Sequence, residues 1–168
     1  MTAKTTRGTL AALAALGSLT WAIAVPTAAS ATPSATPSPT TPSATGALAS
    51  VTSTFRDVST GFCLDSNTSK KAYTLDCNGG NFQNWIYAGS GTTSTIRDVS
   101  TGFCLDSNTN KQVYTLPCNG GNFQNWVISS SGGTIKDVAT GFCLDSNTSK
   151  QLYTLPCNGG NFQNWNHL

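Results

Sequence analysis

The chain has 168 residues, of which only 10% are charged, with nine Lys and Arg, seven acidic residues and a formal net charge of +2. All seven acidic residues are Asp, and the single His is His167. If Lys4 and Arg7 leave with an N-terminal export segment, the charge is close to zero, so neither nucleic acid nor an anionic membrane is an expected partner.

The first 31 residues have the pattern of a secretory signal peptide. Lys4 and Arg7 precede an apolar run at residues 10–25, and Ala-Ser-Ala ends at Ala31 as a small-residue cleavage site. The alternative, a membrane-spanning helix, is disfavoured because the run is shorter than the ~20 apolar residues that a bilayer needs. We therefore expect a secreted, extracellular protein that does not insert into a membrane.

Residues 32–50 hold four prolines among Ser, Thr and Ala. Such a composition cannot bury a core, so we expect a disordered linker here. The remaining residues, 51–168, are expected to form one domain.

Within that domain, two sequence segments occur three times. Thr-Gly-Phe-Cys-Leu-Asp-Ser-Asn begins at Thr60, Thr101 and Thr140, and Cys-Asn-Gly-Gly-Asn-Phe-Gln-Asn-Trp ends at Trp85, Trp126 and Trp165. The repeats cover about 51–90, 91–130 and 131–168. Three copies of a ~40-residue unit predict internal three-fold symmetry, with any surface site present in triplicate. Triplication suits recognition of a repetitive ligand better than catalysis.

Each repeat contains two cysteines. In an exported protein this pattern predicts disulfides within the repeats, each closing a loop of about 15 residues and worth roughly 3 kcal/mol. The expected pairs are Cys63 with Cys77, Cys104 with Cys118, and Cys143 with Cys157. A metal site is the poorer alternative because no His lies among the cysteines, and we expect neither metal nor cofactor.

Short β-type runs recur in each repeat, at 55–58, 62–64, 72–75 and 85–87 in the first, separated by turn-forming clusters that include residues 65–67. No stretch has a sustained helical period. About twelve short strands in three units predict an all-β fold, a β-trefoil. A β-propeller is less favoured because three blades are fewer than usual. The predicted core comprises Phe55, Val58, Leu64, Leu75 and Trp85 with their counterparts.

The Gln-Asn-Trp sequences at 83–85, 124–126 and 163–165 match the Gln-x-Trp signature of the ricin B-type β-trefoil lectin family. Cys-Leu-Asp and Cys-Asn-Gly-Gly also resemble that family. Within it, the long repeat motif looks most like the actinohivin-type lectins, which bind high-mannose glycans. The resemblance covers residues 51–168 and implies a non-enzymatic lectin.

The resemblance assigns Asp65, Asp106 and Asp145 as central sugar ligands. A carboxylate accepts two hydroxyl hydrogen bonds, and such charge-assisted bonds are the strong kind. The alternative, on residue chemistry alone, is that each Asp only shapes the turn that follows it.

Four further residue types per repeat complete the expected site. Asn offers an amide to neighbouring hydroxyls, Tyr and Phe offer aromatic walls, and Leu an apolar floor. They are Asn78, Asn119, Asn158, Tyr73, Tyr114, Tyr153, Leu75, Leu116, Leu155, Phe82, Phe123 and Phe162. The alternatives are a turn residue for Asn, a half-buried strand residue for Tyr and a core residue for Leu.

The Phe residues depart from the actinohivin pattern, which has Tyr there. Loss of that hydroxyl contact corresponds to roughly 0.5–1.5 kcal/mol. Gln83 and Trp85, with their counterparts, are expected to be structural.

The favoured function is a monomeric lectin with three equivalent pockets that binds branched, mannose-terminated glycans through avidity. A ricin-type module for galactose or plant polysaccharide is the alternative, and a trefoil protease inhibitor is an alternative of another class. An enzyme is disfavoured because glycosidases need two carboxyls in unlike environments, whereas these carboxyls are repeated copies.

Overall fold

The computed structural model describes residues 49–168. The predicted signal peptide and nearly all of the predicted linker lie outside the described residues. Residues 49–168 form fourteen short strands and two 3-10 helices, at Asn122–Gln124 and Asn161–Gln163. The strands are β1 (Val51–Ser53), β2 (Phe55–Asp57), β3 (Cys63–Ser66), β4 (Ala72–Leu75), β5 (Trp85–Tyr87), β6 (Thr92–Thr95), β7 (Arg97–Asp98), β8 (Cys104–Ser107), β9 (Val113–Leu116), β10 (Asn125–Ile128), β11 (Gly133–Asp137), β12 (Cys143–Ser146), β13 (Leu152–Leu155) and β14 (Asn164–His167).

The predicted β-trefoil is confirmed. Each repeat contains one antiparallel hairpin, β3–β4, β8–β9 or β12–β13, and the three hairpins share one register, in which the first Cys lies opposite the last Leu. The first hairpin strand runs two residues further than the sequence indicated. Asp65 and Ser66 therefore belong to β3, and the turn begins only at Asn67.

The third repeat closes onto the first. Strand β14 pairs with β2, placing Trp165 opposite Asp57. Thr54 and Leu168 exchange backbone hydrogen bonds of 3.1 and 2.9 Å. This closure joins strands more than 100 residues apart in sequence.

The hairpin tips interlock around the pseudo-three-fold axis. Lys70, Lys111 and Lys150 occupy the turns in the left-handed region, with φ of 64°, 67° and 63°. A non-Gly residue at positive φ has a strained backbone, and this conformation persists only where the surrounding structure stabilises it. Here each Lys carbonyl accepts a hydrogen bond of 3.0–3.1 Å from the backbone N–H of a Thr in another repeat, namely Thr115, Thr154 and Thr74 respectively.

The core lies between the repeats. Its fully buried members include Trp85, Phe55 and Leu64 with their counterparts, as predicted. The expectation for Val58 was wrong, since it is 38% exposed, and Leu75 is only half-buried. Alternation explains Leu75: it faces away from the core on the same side of the hairpin as Cys63, its cross-strand partner.

The three predicted disulfides are confirmed. Cys63–Cys77, Cys104–Cys118 and Cys143–Cys157 each join residues 14 apart, with Cα–Cα distances of 5.0–5.1 Å. Each bond links the start of a hairpin to the loop that follows it, so that loop is held close to the hairpin's outer face.

Candidate functional site

The hairpin register brings three of the expected site residues onto one face. Asp65 lies directly opposite Tyr73, and Leu75 lies opposite Cys63. Cross-strand partners share a face of the sheet, and Leu64, on the opposite face, points into the core. Asp65, Tyr73 and Leu75 therefore form an outward-facing group, and the same register holds in the other two repeats.

The expectation that Asp65 lies in an exposed surface turn was wrong. Asp65, Asp106 and Asp145 are 3%, 4% and 4% exposed. The reason is that each sits inside a strand, beneath the loop that carries the Gln-Asn-Trp segment. Only a small part of each carboxylate surface is open to solvent.

A buried Gln connects this carboxylate to the following loop. The Nε2 of Gln83 donates to Asp65 Oδ2 at 2.8 Å and to the carbonyl of Asp76 at 3.1 Å, while its Oε1 accepts from the backbone N–H of Asn78 at 2.8 Å. Gln124 and Gln163 bridge Asp106 and Asp145 in the same way, at 2.8 Å. Gln83 is thus structural, as expected, but its structural role is to orient the carboxylate.

The Asp carboxyls are poorly solvated. Burial raises the pKa of Asp65 above its ordinary value, and the hydrogen bond from Gln83 partly opposes this. The pKa values of Asp106 and Asp145 are raised by burial in the same way. A carboxylate that has lost much of its water gains more from an incoming hydroxyl donor than a fully hydrated one would.

The Tyr hydroxyl is already committed as a donor. Tyr73 Oη donates to the carbonyl of Ser66 at 3.2 Å, and Tyr114 and Tyr153 do the same with Ser107 and Ser146. Burial and the charge of Asp65 raise the pKa of Tyr73. The Tyr oxygen therefore remains available as an acceptor, and the ring as a wall.

Asn78 is exposed and part of its amide is in use. Its Oδ1 accepts from the backbone N–H of Gly80 at 2.7 Å, forming an Asx turn that is repeated at Asn119 and Asn158. The turn interpretation of this Asn is thus correct, but it leaves the Nδ2 group as a donor. A neighbouring sugar could use that donor.

The apolar residues of the expected site are partly open to solvent. Phe123 and Phe162 are 39% and 38% exposed, and Phe82 and Leu75 are half-buried. Exposed aromatic faces of this kind can pack against the C–H face of a sugar ring.

Sequence reasoning did not identify the contribution of adjacent repeats to each site. A cleft of about 580 Å³ is lined by Tyr153 and Leu155 of the third repeat together with residues 110–114 of the second. The site of one repeat is therefore bordered by the hairpin tip of the repeat before it. The variable positions next to each turn Lys were the available signal, since they are the part of the hairpin that differs between copies.

Neither a metal site nor a membrane span emerges from residues 49–168. No group of three or more potential metal-ligating His, Cys, Asp or Glu side chains occurs in this part of the chain. No helix in these residues is long and apolar enough to cross a bilayer.

Comparisons with known proteins agree with the observed fold. The sequence model of one family, described as the ricin-type beta-trefoil lectin domain, matches residues 51–166. The chain is also similar to the designed three-fold symmetric protein ThreeFoil, with a TM-score of 0.61 and 18% identity over 70% of this chain and 97% of that one.

Two further solved structures are similar to this chain at a comparable level. The BEL beta-trefoil gives a TM-score of 0.60 and 18% identity, covering 70% of this chain and 91% of that one. The Haemophilus ducreyi cytolethal distending toxin gives 0.58 and 17%, covering 69% and 81%. At such identities the structures establish a shared fold alone.

Proposed function

The chain belongs to the ricin-type β-trefoil lectin family, and we propose that it binds glycans through three equivalent pockets, one in each repeat. Membership of this family implies carbohydrate binding. The observation that carries the three-pocket proposal is the repeated Asp–Gln hydrogen bond, 2.8 Å in every repeat, which fixes a carboxylate beside a Tyr ring.

The preferred ligand in this proposal is a terminal mannose-type unit of a branched glycan. The support is the resemblance of the long repeat motif to the actinohivin-type lectins. Asp65 would accept two sugar hydroxyls, Asn78 would donate through Nδ2, and Tyr73, Leu75 and Phe82 would contact the apolar face. A preference for galactose or plant polysaccharide is the alternative.

The proposed protein is a secreted, monomeric, non-catalytic module comprising residues 51–168 after a signal peptide (1–31) and a linker (32–50). The family is typically a non-catalytic carbohydrate-binding module. A shallow polar pocket exchanges water contacts for sugar contacts of similar strength, so each single site is weak. Three linked sites raise apparent affinity by roughly 10² to 10⁴ where a glycan reaches several at once.

A glycan array that includes high-mannose, galactose-terminated and plant-type oligosaccharides tests this proposal. Asp65→Asn, Asp106→Asn and Asp145→Asn each keep an oxygen for the Gln hydrogen bond, so they test binding without removing the buried contact. We expect each to lower the calorimetric stoichiometry for mannobiose by about a third. An unchanged stoichiometry in all three variants would contradict the assignment.

Avidity has its own test on a dense high-mannose surface. A protein carrying two of these Asp→Asn changes should keep its affinity per site for free mannobiose but lose most of its surface retention. Full retention with one intact site would exclude avidity as the mechanism.

A further inference from the structure

The surface charge of this domain differs from its overall charge. Six of the seven Asp side chains are buried, namely Asp57, Asp65, Asp98, Asp106, Asp137 and Asp145. Asp76 is therefore the one exposed Asp in residues 49–168. All seven Lys and Arg side chains in that range are exposed or half-exposed. The charged side chains exposed to solvent are consequently mostly cationic, although the charges balance in number.

Three of these cations line a single cleft. Lys70, Lys71 and Lys150 border a depression of about 550 Å³ between the hairpins of all three repeats. Its other lining residues are Ala72, Tyr73, Val113, Tyr114, Gln151 and Leu152, with no acidic residue among them. The cleft is therefore bordered by three lysines together with apolar and aromatic residues.

The backbone fixes the position of these lysines. Lys70 and Lys150 are held at positive φ, and their carbonyls accept hydrogen bonds from Thr115 and Thr74. Lys71 forms an isolated antiparallel bridge with Tyr114. The backbone that carries these lysines is thus held in an interlocked part of the fold, so binding does not have to order it.

This concentration of charge is absent from the corresponding positions of the other two repeats. Lys71 is replaced by Gln112 and Gln151, so the neighbouring cleft of about 580 Å³ has Lys111 as its one cationic lining residue. Symmetry of the fold does not require the extra cation, since the two Gln-containing hairpins keep the same register.

A second departure from symmetry reduces the positive charge beside the cleft. Lys150 Nζ lies 2.7 Å from Asp76 Oδ2 and 4.8 Å from the centre of the Phe62 ring. The other repeats have Pro117 and Pro156 at the position of Asp76. Asp76 therefore partly neutralises one of the three cations and draws it toward the first repeat.

We propose that this cleft binds the anionic groups of an acidic saccharide, either sulfate or carboxylate, as a site that adjoins the neutral-sugar pockets and shares the Tyr73 and Tyr114 rings with them. Lysine side chains that border one cleft can each donate charge-assisted hydrogen bonds to an anion bound there. The apolar floor and the Tyr rings provide contact for the sugar rings that carry the charge.

The test measures binding of three hexasaccharides to the protein by calorimetry at low and at physiological salt. The probes are a heparin-derived hexasaccharide, an oligogalacturonate and neutral mannohexaose. We expect both acidic probes to bind more tightly at low salt, because exposed charge pairs are screened. Oligogalacturonate carries carboxylates alone, so its binding would show that carboxylate suffices, whereas binding of the heparin-derived probe alone would show that sulfate is required.

Variants taken from the chain itself locate the site. Lys71→Gln, which introduces the residue of the other repeats, should weaken acidic-probe binding about threefold to tenfold. Asp76→Pro, also taken from the other repeats, should strengthen it by freeing Lys150. Lys136→Gln, an exposed cation that does not line the cleft, should have no effect.

Equal losses for Lys71→Gln and Lys136→Gln would show diffuse attraction and overturn the proposal, as would the absence of acidic-probe binding. Mannohexaose binding provides a separate readout. If the protein binds the acidic probes but not mannohexaose, the result contradicts the lectin pockets proposed above and leaves the anionic cleft unaffected. If it binds mannohexaose but not the acidic probes, the result contradicts only the cleft.

Discussion

Gln83 Nε2 lies 2.8 Å from Asp65 Oδ2, and this hydrogen bond connects the signature motif of the repeat with its candidate sugar ligand. The same Gln side chain holds the backbone of Asn78 through its oxygen. Two residues expected to contact sugar are therefore positioned by one buried amide, which explains why Gln precedes the Trp in all three repeats.

Replacement of Asp65 should give different results for Ala and Asn. Asp65→Ala leaves the buried Gln83 amide with one fewer acceptor, so we expect a loss of about 1–3 kcal/mol in unfolding free energy. Asp65→Asn retains an acceptor and should fold with little or no loss. Urea denaturation at neutral pH measures both. Equal stability of the two variants would show that the hydrogen bond contributes little.

The stability of Asp65→Asn relative to the parent should depend on pH. Burial raises the folded-state pKa of Asp65 above its ordinary value. The folded parent therefore binds this proton more tightly than the unfolded chain does, and its contribution to stability, full below about pH 3.8, falls as pH rises through the folded pKa. Asn does not titrate, so the stability of the variant relative to the parent should increase from acidic to neutral pH. Urea midpoints measured across this range test the sign.

The hydrogen bonds between Ser of one repeat and Asp of the next should contribute unequally to stability, because only two of the three related pairs form one. Ser66 Oγ donates to buried Asp98 Oδ2 at 2.9 Å, and Ser107 pairs in the same way with Asp137. Within the described residues, Ser146 Oγ and Asp57 Oδ2 have no hydrogen-bond partner. Ser66→Ala should cost about 1–3 kcal/mol by leaving a buried carboxylate oxygen unpaired.

Ser146→Ala is the matched control, and it should be nearly neutral because no hydrogen bond is lost. Chemical denaturation of the two single variants provides the comparison. Similar losses in both would mean that the third Ser–Asp pair forms in solution.

Three buried hydroxyls in the hairpins should be replaceable. The Oγ1 atoms of Thr74, Thr115 and Thr154 are buried without a hydrogen-bond partner in the part of the chain that the structure describes. Val carries a methyl group where Thr has the hydroxyl, so the substitution leaves no cavity and removes an unpaired buried polar atom. Thr74→Val should therefore raise the unfolding free energy by about 1 kcal/mol. Thermal and urea denaturation measure this. Thr60→Val is the control, and should destabilise because Thr60 Oγ1 donates to Asp57 at 2.9 Å.

Protonation of His167 should destabilise the folded protein where strand β14 of the third repeat pairs with β2 of the first. Burial lowers the folded-state pKa of His167, whose Nδ1 lies 3.2 Å from Tyr87 Oη. The unfolded chain therefore binds the proton more readily. The contribution of His167 to stability should be constant above about pH 6.5 and fall as pH drops from there toward the folded pKa.

Ile stands at the corresponding position of the second repeat, Ile128, so His167→Ile is a natural control. The buried Asp residues are present in both proteins, so the urea midpoint of the parent minus that of the variant should fall as pH drops across this interval. A difference that stays constant there would exclude His167 as the titrating group.

The repeat pattern alone predicted a large part of this molecule. Three copies of one unit indicated the trefoil, and two Cys per copy indicated the three disulfides, because both features follow from local spacing. The second strand of each hairpin was also predictable from its Tyr and Thr residues. The prediction failed at Asp65, where a polar Asp-Ser-Asn run was interpreted as a turn, and at Val58, where an apolar residue was assigned to the core.

The tertiary structure decided what the repeats do to one another. Whether a carboxylate is buried depends on which loop covers it, and the burial of six Asp side chains leaves mostly cationic groups among the exposed charges of a nearly neutral sequence. Closure also places Lys150 of the last repeat beside Asp76 of the first, a pair 74 residues apart. Composition determines the number of charges, but only the packing of one repeat against the next determines which of them meet solvent or one another.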